Sequence, residues 1–274
     1  MNTLSLRLAF AALGFLAALP AWALPREAAV PGGVALVRLG NGAERPQAWF
    51  GERRVAVLRD AKGWVALVGL PLALEPGEHT LRVLAGGGEE TKPVRVAAKH
   101  YPTQRFSVPD RRKVEPPPED MLRIERERKR IDEIKALFRD EPDIDLAFRA
   151  PAQGRLTGNF GLRRVINGLE RMPHAGIDFA VPVGTPVRAA AAGVVVETGD
   201  FFFNGHSVYL DHGQGLVTLY CHLDRVDVAP GARVAAGQRI GLSGNTGRTS
   251  GPHLHWTVLA NGAAVDPLLF LRKQ

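Results

Sequence analysis

Histidines in the last hundred residues carry the clearest chemistry in this sequence. Six of the eight histidines lie beyond residue 154, and four of those six fall in three short stretches. The stretches are residues 172–178 (MPHAGID), 219–223 (LYCHL) and 250–256 (SGPHLHW). Together they offer two imidazoles and a carboxylate as ligands of a metal ion, and two further imidazoles for proton transfer.

The spacing of the last two histidines suits one face of a β-strand. In an extended chain, side chains at even offsets point to the same side. His253 and His255 are two residues apart. We therefore expect both imidazoles on one side of a strand, with Leu254 facing the core.

The first stretch fits the same kind of face. His174 and Asp178 are four residues apart, so an extended segment would place them together, and Gly176 would keep that face uncrowded. A helix would also bring residues four apart together, but Pro173 and Gly176 disfavour a helix here. Two imidazoles and one carboxylate are a typical set for a catalytic zinc ion, and they suit zinc better than magnesium or calcium.

Short β runs must position these side chains. From residue 154 onward, runs that read as strands are separated by turns that contain glycine. The glycine-rich run 241–247 (GLSGNTG) lacks the Lys-Ser/Thr ending of a phosphate-binding loop, so we interpret it as turns that lead into the His253 strand. The predicted strands cover residues 186–189, 193–196, 207–210 and 216–220.

The N-terminal part predicts a separate β domain. Short apolar runs with glycine- and proline-containing turns between them are typical of a small antiparallel sandwich, and we expect an immunoglobulin-like domain over residues 24–108. It contains no catalytic constellation, so binding or spacing is its expected role. The predicted strands are residues 34–37, 54–58, 64–68, 80–84 and 93–96.

Residues 109–150 predict a linker with a helix. Glu115 to Pro118 is a stiff, proline-rich segment, and residues 119–140 are rich in charges, with apolar residues close to one helical face. Pro142 would end this helix. We expect it to lie against a neighbouring domain; a partner-binding helix and a lid over the site are alternatives.

The remaining features concern the location of the chain. Residues 1–23 read as a signal peptide, because a short apolar run is followed by the small-x-small pattern Ala21-Trp22-Ala23. No other segment is long and apolar enough to span a membrane. We therefore expect an exported, soluble mature protein, periplasmic or secreted, and the single cysteine excludes an internal disulfide.

The charge of the chain indicates the kind of partner it would bind. The net charge of +7 favours acidic partners, namely nucleic acid, anionic membrane surfaces or anionic polymers of a cell envelope, and does not choose among them. No nucleic-acid-binding motif is present. A partner protein in the envelope is an open alternative.

From about residue 154 to 270 the sequence resembles the lysostaphin/LytM-type zinc metallopeptidases, which hydrolyse peptide cross-links of bacterial cell walls. The resemblance implies a mainly antiparallel β-fold of the duplicated-hybrid-motif kind for residues 151–274, with peptidoglycan stem peptides as substrate. The motifs that carry it occur in the expected order: residues 158–161 (GNFG), 174–178 (HAGID), 220–223 (YCHL), 241–247 (GLSGNTG), 251–255 (GPHLH) and 265–267 (VDP).

The resemblance also implies a role for each residue. His174, Asp178 and His255 would ligate Zn²⁺, and His222 and His253 would lie beside the ion without ligating it. One of these two histidines would accept a proton from the attacking water. The other would stabilise the developing oxyanion or protonate the leaving amine, and the sequence leaves open which does which.

Three features depart from the commoner family pattern or add to it. Trp256-Thr257 replaces an aromatic-Glu pair. Cys221 stands where a small residue is common; if His222 faces the site, strand alternation predicts a buried, inert thiol. The run Phe201 to Phe203 is either the edge of a core strand or an apolar wall of the substrate groove.

Two functions compete on this sequence. The leading hypothesis is an exported zinc endopeptidase that acts on peptidoglycan. The alternative is a LytM-type regulator that binds and activates another cell-wall hydrolase. Loss of ligands would favour the regulator, and here all three ligands and both further histidines are present.

Overall fold

The structure is a computed structural model that describes residues 24–272. It is mainly β, as predicted, and its described part has one α-helix. The predicted signal peptide lies outside the described residues. Among residues 24–272, no helix is long and apolar enough to cross a membrane.

Two small antiparallel sheets face each other in the N-terminal part, as the predicted sandwich requires. They are built from seven strands: β1 (Val34–Gly40), β2 (Gln47–Phe50), β3 (Arg53–Arg54), β4 (Ala56–Asp60), β5 (Gly63–Gly69), β6 (Gly77–Ala85) and β7 (Gly88–Val96). One sheet has the order β1-β5-β4 and the other β3-β2-β6-β7. Apolar residues from both sheets fill the space between them.

The β1-β5-β4 sheet is buried on both faces. Val65 and Leu67 of β5 belong to the largest core of the molecule, whereas Ala66 and Val68 belong to the core of the sandwich. Burial on both sides explains why these strands are continuous apolar runs. Trp256 lies in the same large core. The N-terminal sheet and the histidine-bearing sheet therefore share one core.

Hydrogen bonds reinforce this contact. The Asn261 side chain accepts from Gly69 N at 2.6 Å and donates to Gly69 O at 3.0 Å. The Gln214 side chain accepts from Val57 N at 2.8 Å. The side chains of Asn261 and Gln214 thus extend the hydrogen bonding of the N-terminal sheet into the C-terminal part.

The C-terminal part is built on a ten-stranded antiparallel sheet. The strands are β9 (Arg155–Gly158), β12 (Ile177–Ala180), β13 (Pro186–Arg188), β14 (Gly193–Phe201), β15 (Gly205–Gly213), β16 (Leu216–Val226), β17 (Arg233–Val234), β18 (Arg239–Ser243), β19 (Leu254–Ala260) and β20 (Ala263–Val265). The main path of the sheet has the order β17-β14-β15-β16-β19-β12-β9, with β13, β18 and β20 on branches.

A third sheet links the two parts. It contains β8 (Thr103–Phe106), β10 (Arg163–Ile166) and β11 (Leu169–Arg171), and β8 runs parallel to β10. Two 3-10 turns, Arg111–Lys113 and Pro267–Leu269, complete the described elements. The sequence did not predict β8 as a strand, because its partner lies about sixty residues further along the chain.

The helix α1 (Pro118–Lys135) is shorter than predicted. Pro118 is favourable at its first position, and Glu119 and Asp120 suit its first turn. The predicted end near residue 140 is wrong, because the chain after Lys135 makes tertiary contacts instead. Phe138 lies 4.4 Å beneath the Arg54 guanidinium, and Arg139 bonds to Asp211.

The helix packs on the sheet face that also carries Asp178 and His255, because Cys221, in the core beneath the helix, pairs in register with His255. Ile131 and Ile134 pack against a small core that contains Cys221. Arg130 pairs with Glu197 at 2.6 Å, and Glu127 accepts from Phe202 N at 2.7 Å. The expectation that the helix lies against a neighbouring domain is confirmed. The alternatives of a partner-binding helix and of a lid over the site stay predictions.

Candidate metal centre

Two neighbouring strands position the first pair of site residues. Asp178 of β12 lies directly opposite His255 of β19 in antiparallel register. His174 precedes β12, where its backbone N donates to Leu162 O at 2.9 Å. Leu254 is fully buried in the large core, as alternation along the strand predicts.

Three potential ligand atoms converge at this point. His174 Nε2 lies 3.0 Å from Asp178 Oδ1 and 2.9 Å from His255 Nδ1. His255 Nδ1 lies 2.8 Å from the same carboxylate oxygen. With zinc–ligand bonds of about 2.0–2.1 Å, tetrahedral ligand atoms lie roughly 3.3 Å apart. The donor set and its spacing therefore fit a small divalent cation.

The outer hydrogen bonds leave the inward nitrogens free. His174 Nδ1 donates to Asn159 O at 2.8 Å, which leaves Nε2 with its lone pair. His255 Nε2 lies 2.9 Å from the Thr257 hydroxyl, which can accept its proton and so free Nδ1. Two nitrogen lone pairs and a carboxylate then face one another, an arrangement that a cation stabilises.

Protonation states agree with this arrangement. Burial raises the pKa of Asp178, but its contacts with His174 and His255 outweigh burial and hold that pKa well below its usual range. Burial lowers the pKa of His255 to about 4, against the attraction of Asp178. At neutral pH the carboxylate is charged and the His255 imidazole is neutral, which are the forms that bind a metal.

Two glycines make room for the potential ligands. A Cβ atom at Gly158 would lie 2.1 Å from Asp178 Oδ2, and one at Gly176 would lie 2.8 Å from His255 Cε1. Both distances are shorter than van der Waals contact. The expectation that Gly176 keeps this face uncrowded is confirmed, and Gly158 has the same effect on the other side of Asp178.

His222 reaches the site through a β-bulge. The register between β15 and β16 shifts next to it, and its φ of 61° lies in the left-handed region. A bulge of this kind redirects a side chain. His222 Nδ1 donates to Thr246 O at 2.8 Å, and its backbone N donates to Asn204 O at 2.8 Å. These bonds fix the imidazole and leave Nε2 free.

His253 stands between His222 and the potential ligands. Its ring centroid is 4.7 Å from that of His222, and its Nε2 is 3.8 Å from Asp178 Oδ1. His253 Nδ1 donates to Gly251 O at 2.8 Å.

Burial lowers the pKa of His222 well below its usual value, and the neighbouring His253 and His255 lower it further. His222 is therefore neutral at pH 7.

His212, Cys221, Phe201 and Phe202 are not part of the ligand cluster. His212 is buried and uses both ring nitrogens in hydrogen bonds to Ala192 O and Thr218 Oγ1. Cys221 is buried, and burial raises the pKa of its thiol, as the predicted inert cysteine requires. The alternation argument behind that prediction is wrong, because Cys221 pairs in register with His255 and so lies on the same face of the sheet, to which the bulge also turns His222. Phe201 lies in a core and Phe202 is buried, which favours the core interpretation for these two.

Two residues near the centre were not foreseen from the sequence. Thr257 is only 3% exposed and lies two residues after His255 on the same strand face, a spacing that could have identified it. Arg164 Nη2 lies 3.5 Å from Asp178 Oδ2, the carboxylate oxygen that faces away from the imidazoles. Arg164 stands in the unpredicted three-stranded sheet, so the sequence did not indicate its proximity.

The fold as a whole is similar to that of a known peptidase family. A crystal structure from Pseudomonas aeruginosa assigned to peptidase M23 has a TM-score of 0.77 and is 39% identical, over 89% of this chain and 95% of that chain. This chain belongs to peptidase family M23. The sequence model of "Peptidase family M23" matches residues 172–267, and that of the "Peptidase family M23 N-terminal domain" matches residues 27–99. The resemblance predicted from the motifs is confirmed.

Curated M23 relatives match the C-terminal part. The chain is 45% identical over 115 residues to peptidoglycan DD-endopeptidase ShyA of Vibrio cholerae, which covers 42% of this chain and 27% of ShyA. It is 46% identical over 95 residues to DD-carboxypeptidase/endopeptidase Mpg of Neisseria meningitidis, which covers 35% of this chain and 22% of Mpg. The matched region thus spans about a quarter of these relatives. Together, M23 membership and the His174–Asp178–His255 cluster support a metal cofactor.

Proposed function

We propose that this chain is an exported zinc endopeptidase that hydrolyses peptide cross-links of bacterial peptidoglycan in the cell envelope. The observation that carries the proposal is the convergence of His174 Nε2, Asp178 Oδ1 and His255 Nδ1 within 3.0 Å of one another. The substrate follows from relatives named for DD-endopeptidase and DD-carboxypeptidase activity. The match to peptidase family M23 covers residues 172–267, which include all of these residues.

The three converging atoms are the proposed zinc ligands. Two imidazole nitrogens and one carboxylate oxygen are a common catalytic zinc set, with a fourth position left for water. Bound there, zinc would polarise the scissile carbonyl and lower the pKa of the attacking water. Asn159 and Thr257 orient the two imidazoles through their outer nitrogens, and Arg164 orients the carboxylate through Oδ2.

The two remaining histidines are the proposed proton-handling groups. His222 is neutral at pH 7 and its Nε2 has a free lone pair, which suits the acceptor of the proton from water. His253 lies closer to the proposed ligands, where a protonated Nε2 could stabilise the oxyanion or donate to the leaving amine. The Gly251 and Thr246 carbonyls hold both rings in place, so neither ring has to be reoriented during the reaction.

A digestion of purified peptidoglycan tests this function. We expect the mature chain to hold about one zinc ion per molecule and to release peptide fragments whose masses identify the cleaved bond. A chelator should stop release, and added zinc should restore it. A metal-free protein with full activity would contradict the zinc proposal. A zinc-loaded protein that releases nothing would instead favour the regulator.

A further inference from the structure

Three arginines lie together beside the metal centre, and we call them the arginine cluster. Arg164 of β10 pairs in register with Arg171 of β11, so both side chains lie on the same face of this hairpin. Arg248 lies in the loop between β18 and β19, two residues after Thr246, whose carbonyl holds His222. The cluster therefore adjoins both the proposed ligands and the proposed proton acceptor.

The cluster has too few counter-charges. Arg164 Nη2 lies 3.5 Å from Asp178 Oδ2, and among the described residues no other carboxylate lies within 4.0 Å of the three guanidinium groups. Arg171 donates only to the carbonyls of Val114 and Glu170. Three cations thus share one carboxylate, and that carboxylate is also a proposed metal ligand.

These cations are also partly removed from water. The Nε atoms of Arg164 and Arg171 and the Oε1 atom of Gln104 are buried without a hydrogen-bond partner among residues 24–272. Gln104 is in register with Arg164 on the neighbouring strand. Burial and the charges of Arg164 and Arg171 lower the pKa of Arg248 to about 10, which shows that the three groups influence one another. All three still carry their charge at neutral pH.

Protein contacts alone do not account for this charge. Arg248 makes no side-chain hydrogen bond within the described chain and stacks 4.6 Å from the Phe203 ring, a contact that an uncharged side chain could also make. Crowded, partly buried cations repel one another unless an anion lies between them. Guanidinium groups bind carboxylates through paired hydrogen bonds, and this geometry favours them over lysine at such sites.

We propose that the arginine cluster binds a carboxylate of the peptide substrate close to the scissile bond. This inference rests on the proposed peptidase function and adds a substrate class to it. The chain would prefer peptides that carry a free carboxylate near the cleaved bond over the same peptides with that group amidated.

Arg248 is the residue best suited to a test. Arg164 contacts Asp178 and Arg171 holds Val114, so their substitution would disturb the metal centre or the fold. Arg248→Gln removes one charge, and Arg248→Lys retains the charge without the paired geometry. Arg233→Gln is the matched control, because Arg233 is exposed on the edge strand β17, at the other end of the main sheet path from β12 and β9.

Binding of defined peptides to the zinc-loaded protein gives the readout. The probes are an acetylated peptide that ends in two D-alanine residues with a free carboxylate, the same peptide with a terminal amide, and an amidated peptide whose only carboxylate is on a side chain. Calorimetry at fixed ionic strength gives each Kd, and metal content is measured alongside. The two carboxylate peptides show which kind of carboxylate the cluster takes.

We expect the wild type to bind one carboxylate peptide at least about tenfold more tightly than the amide, as a charge-assisted pair implies. Arg248→Gln should remove most of this preference, Arg248→Lys part of it, and Arg233→Gln none. Equal wild-type affinities for all three peptides, or equal losses in Arg248→Gln and Arg233→Gln, would overturn the inference. Failure to digest peptidoglycan would count against the peptidase function alone, because the binding measurement does not depend on turnover.

Discussion

The metal centre and the pocket around His212 use buried imidazoles in opposite ways. His212 of β15 is 4% exposed, with Nδ1 2.7 Å from Ala192 O and Nε2 2.8 Å from Thr218 Oγ1. His174 is 1% exposed but has only Nδ1 held by a carbonyl, and its Nε2 points at two other potential ligands. The structural histidine and the proposed ligand therefore differ in having a free ring nitrogen and not in their degree of burial.

The largest expected effect comes from the residue with the most direct part in the centre. His255→Ala removes one of three converging atoms and leaves two, so we expect loss of zinc binding and of turnover to the detection limit. His253→Ala leaves all three atoms, so it should keep zinc while turnover falls by about 10²–10⁴-fold, as loss of a proton-transfer group implies. Metal analysis and peptidoglycan digestion of both variants measure these effects.

Comparing His255→Ala with His253→Ala distinguishes a metal ligand from a proton-transfer group. Circular dichroism of each variant should match the wild type, which shows that the sheet is intact. If His253→Ala also loses zinc, the division of roles between the two histidines is wrong. If His255→Ala keeps zinc, His253 is the better candidate for the third ligand.

A smaller effect should follow from loosening one outer hydrogen bond. Thr257→Val keeps the size of the side chain and removes the oxygen that faces His255 Nε2. Because such bonds orient a metal ligand, we expect zinc affinity to fall by roughly 10- to 100-fold. Competition with a chromophoric chelator measures the change.

The pocket around His212 supplies the matched control. Thr218→Val removes the hydroxyl that faces His212 Nε2 and should leave zinc affinity unchanged. It should lower the free energy of unfolding by about 1–3 kcal/mol, because a buried polar nitrogen loses its partner. Equal losses of zinc affinity in the two valine variants would show that Thr257 acts only through general stability.

The sequence predicts the candidate centre better than it predicts the surroundings of the centre. The order of the motifs predicted His174, Asp178 and His255 as the potential ligands. The structure places one side-chain atom of each within 3.0 Å of the others. Motif spacing could not show that His222 reaches the site through a bulge with φ 61°, because that bulge depends on pairing with β15. The roles of His174, Asp178 and His255 in binding zinc, and of His222 and His253 in catalysis, stay predictions.

The fold, like the surroundings of the centre, depends on long-range contacts that the sequence pattern does not predict. The strand runs of the sandwich were visible as apolar segments, but the sharing of Val65 and Leu67 with the C-terminal core depends on contacts that local pattern does not encode. The helix ends early because Arg139 bonds to Asp211, a residue that is far away in the sequence. The domain boundaries at residues 108 and 150 stay predictions.

The smallest expected effect is a pH dependence that belongs to His212. Burial lowers the pKa of His212 from 6.5, a shift that the Ala192 carbonyl and Asp211 oppose. The unfolded chain therefore binds more protons than the folded chain below pH 6.5, so stability falls as the pH falls through this value. His212→Asn cannot titrate, and its stability deficit relative to the wild type should shrink by up to about 1.4 kcal/mol between pH 7.5 and 5.5. Urea unfolding of both proteins in chelator measures this gap, because the site histidines contribute equally to each protein. A gap that stays constant over this range would show that His212 does not enter the fold as a neutral imidazole.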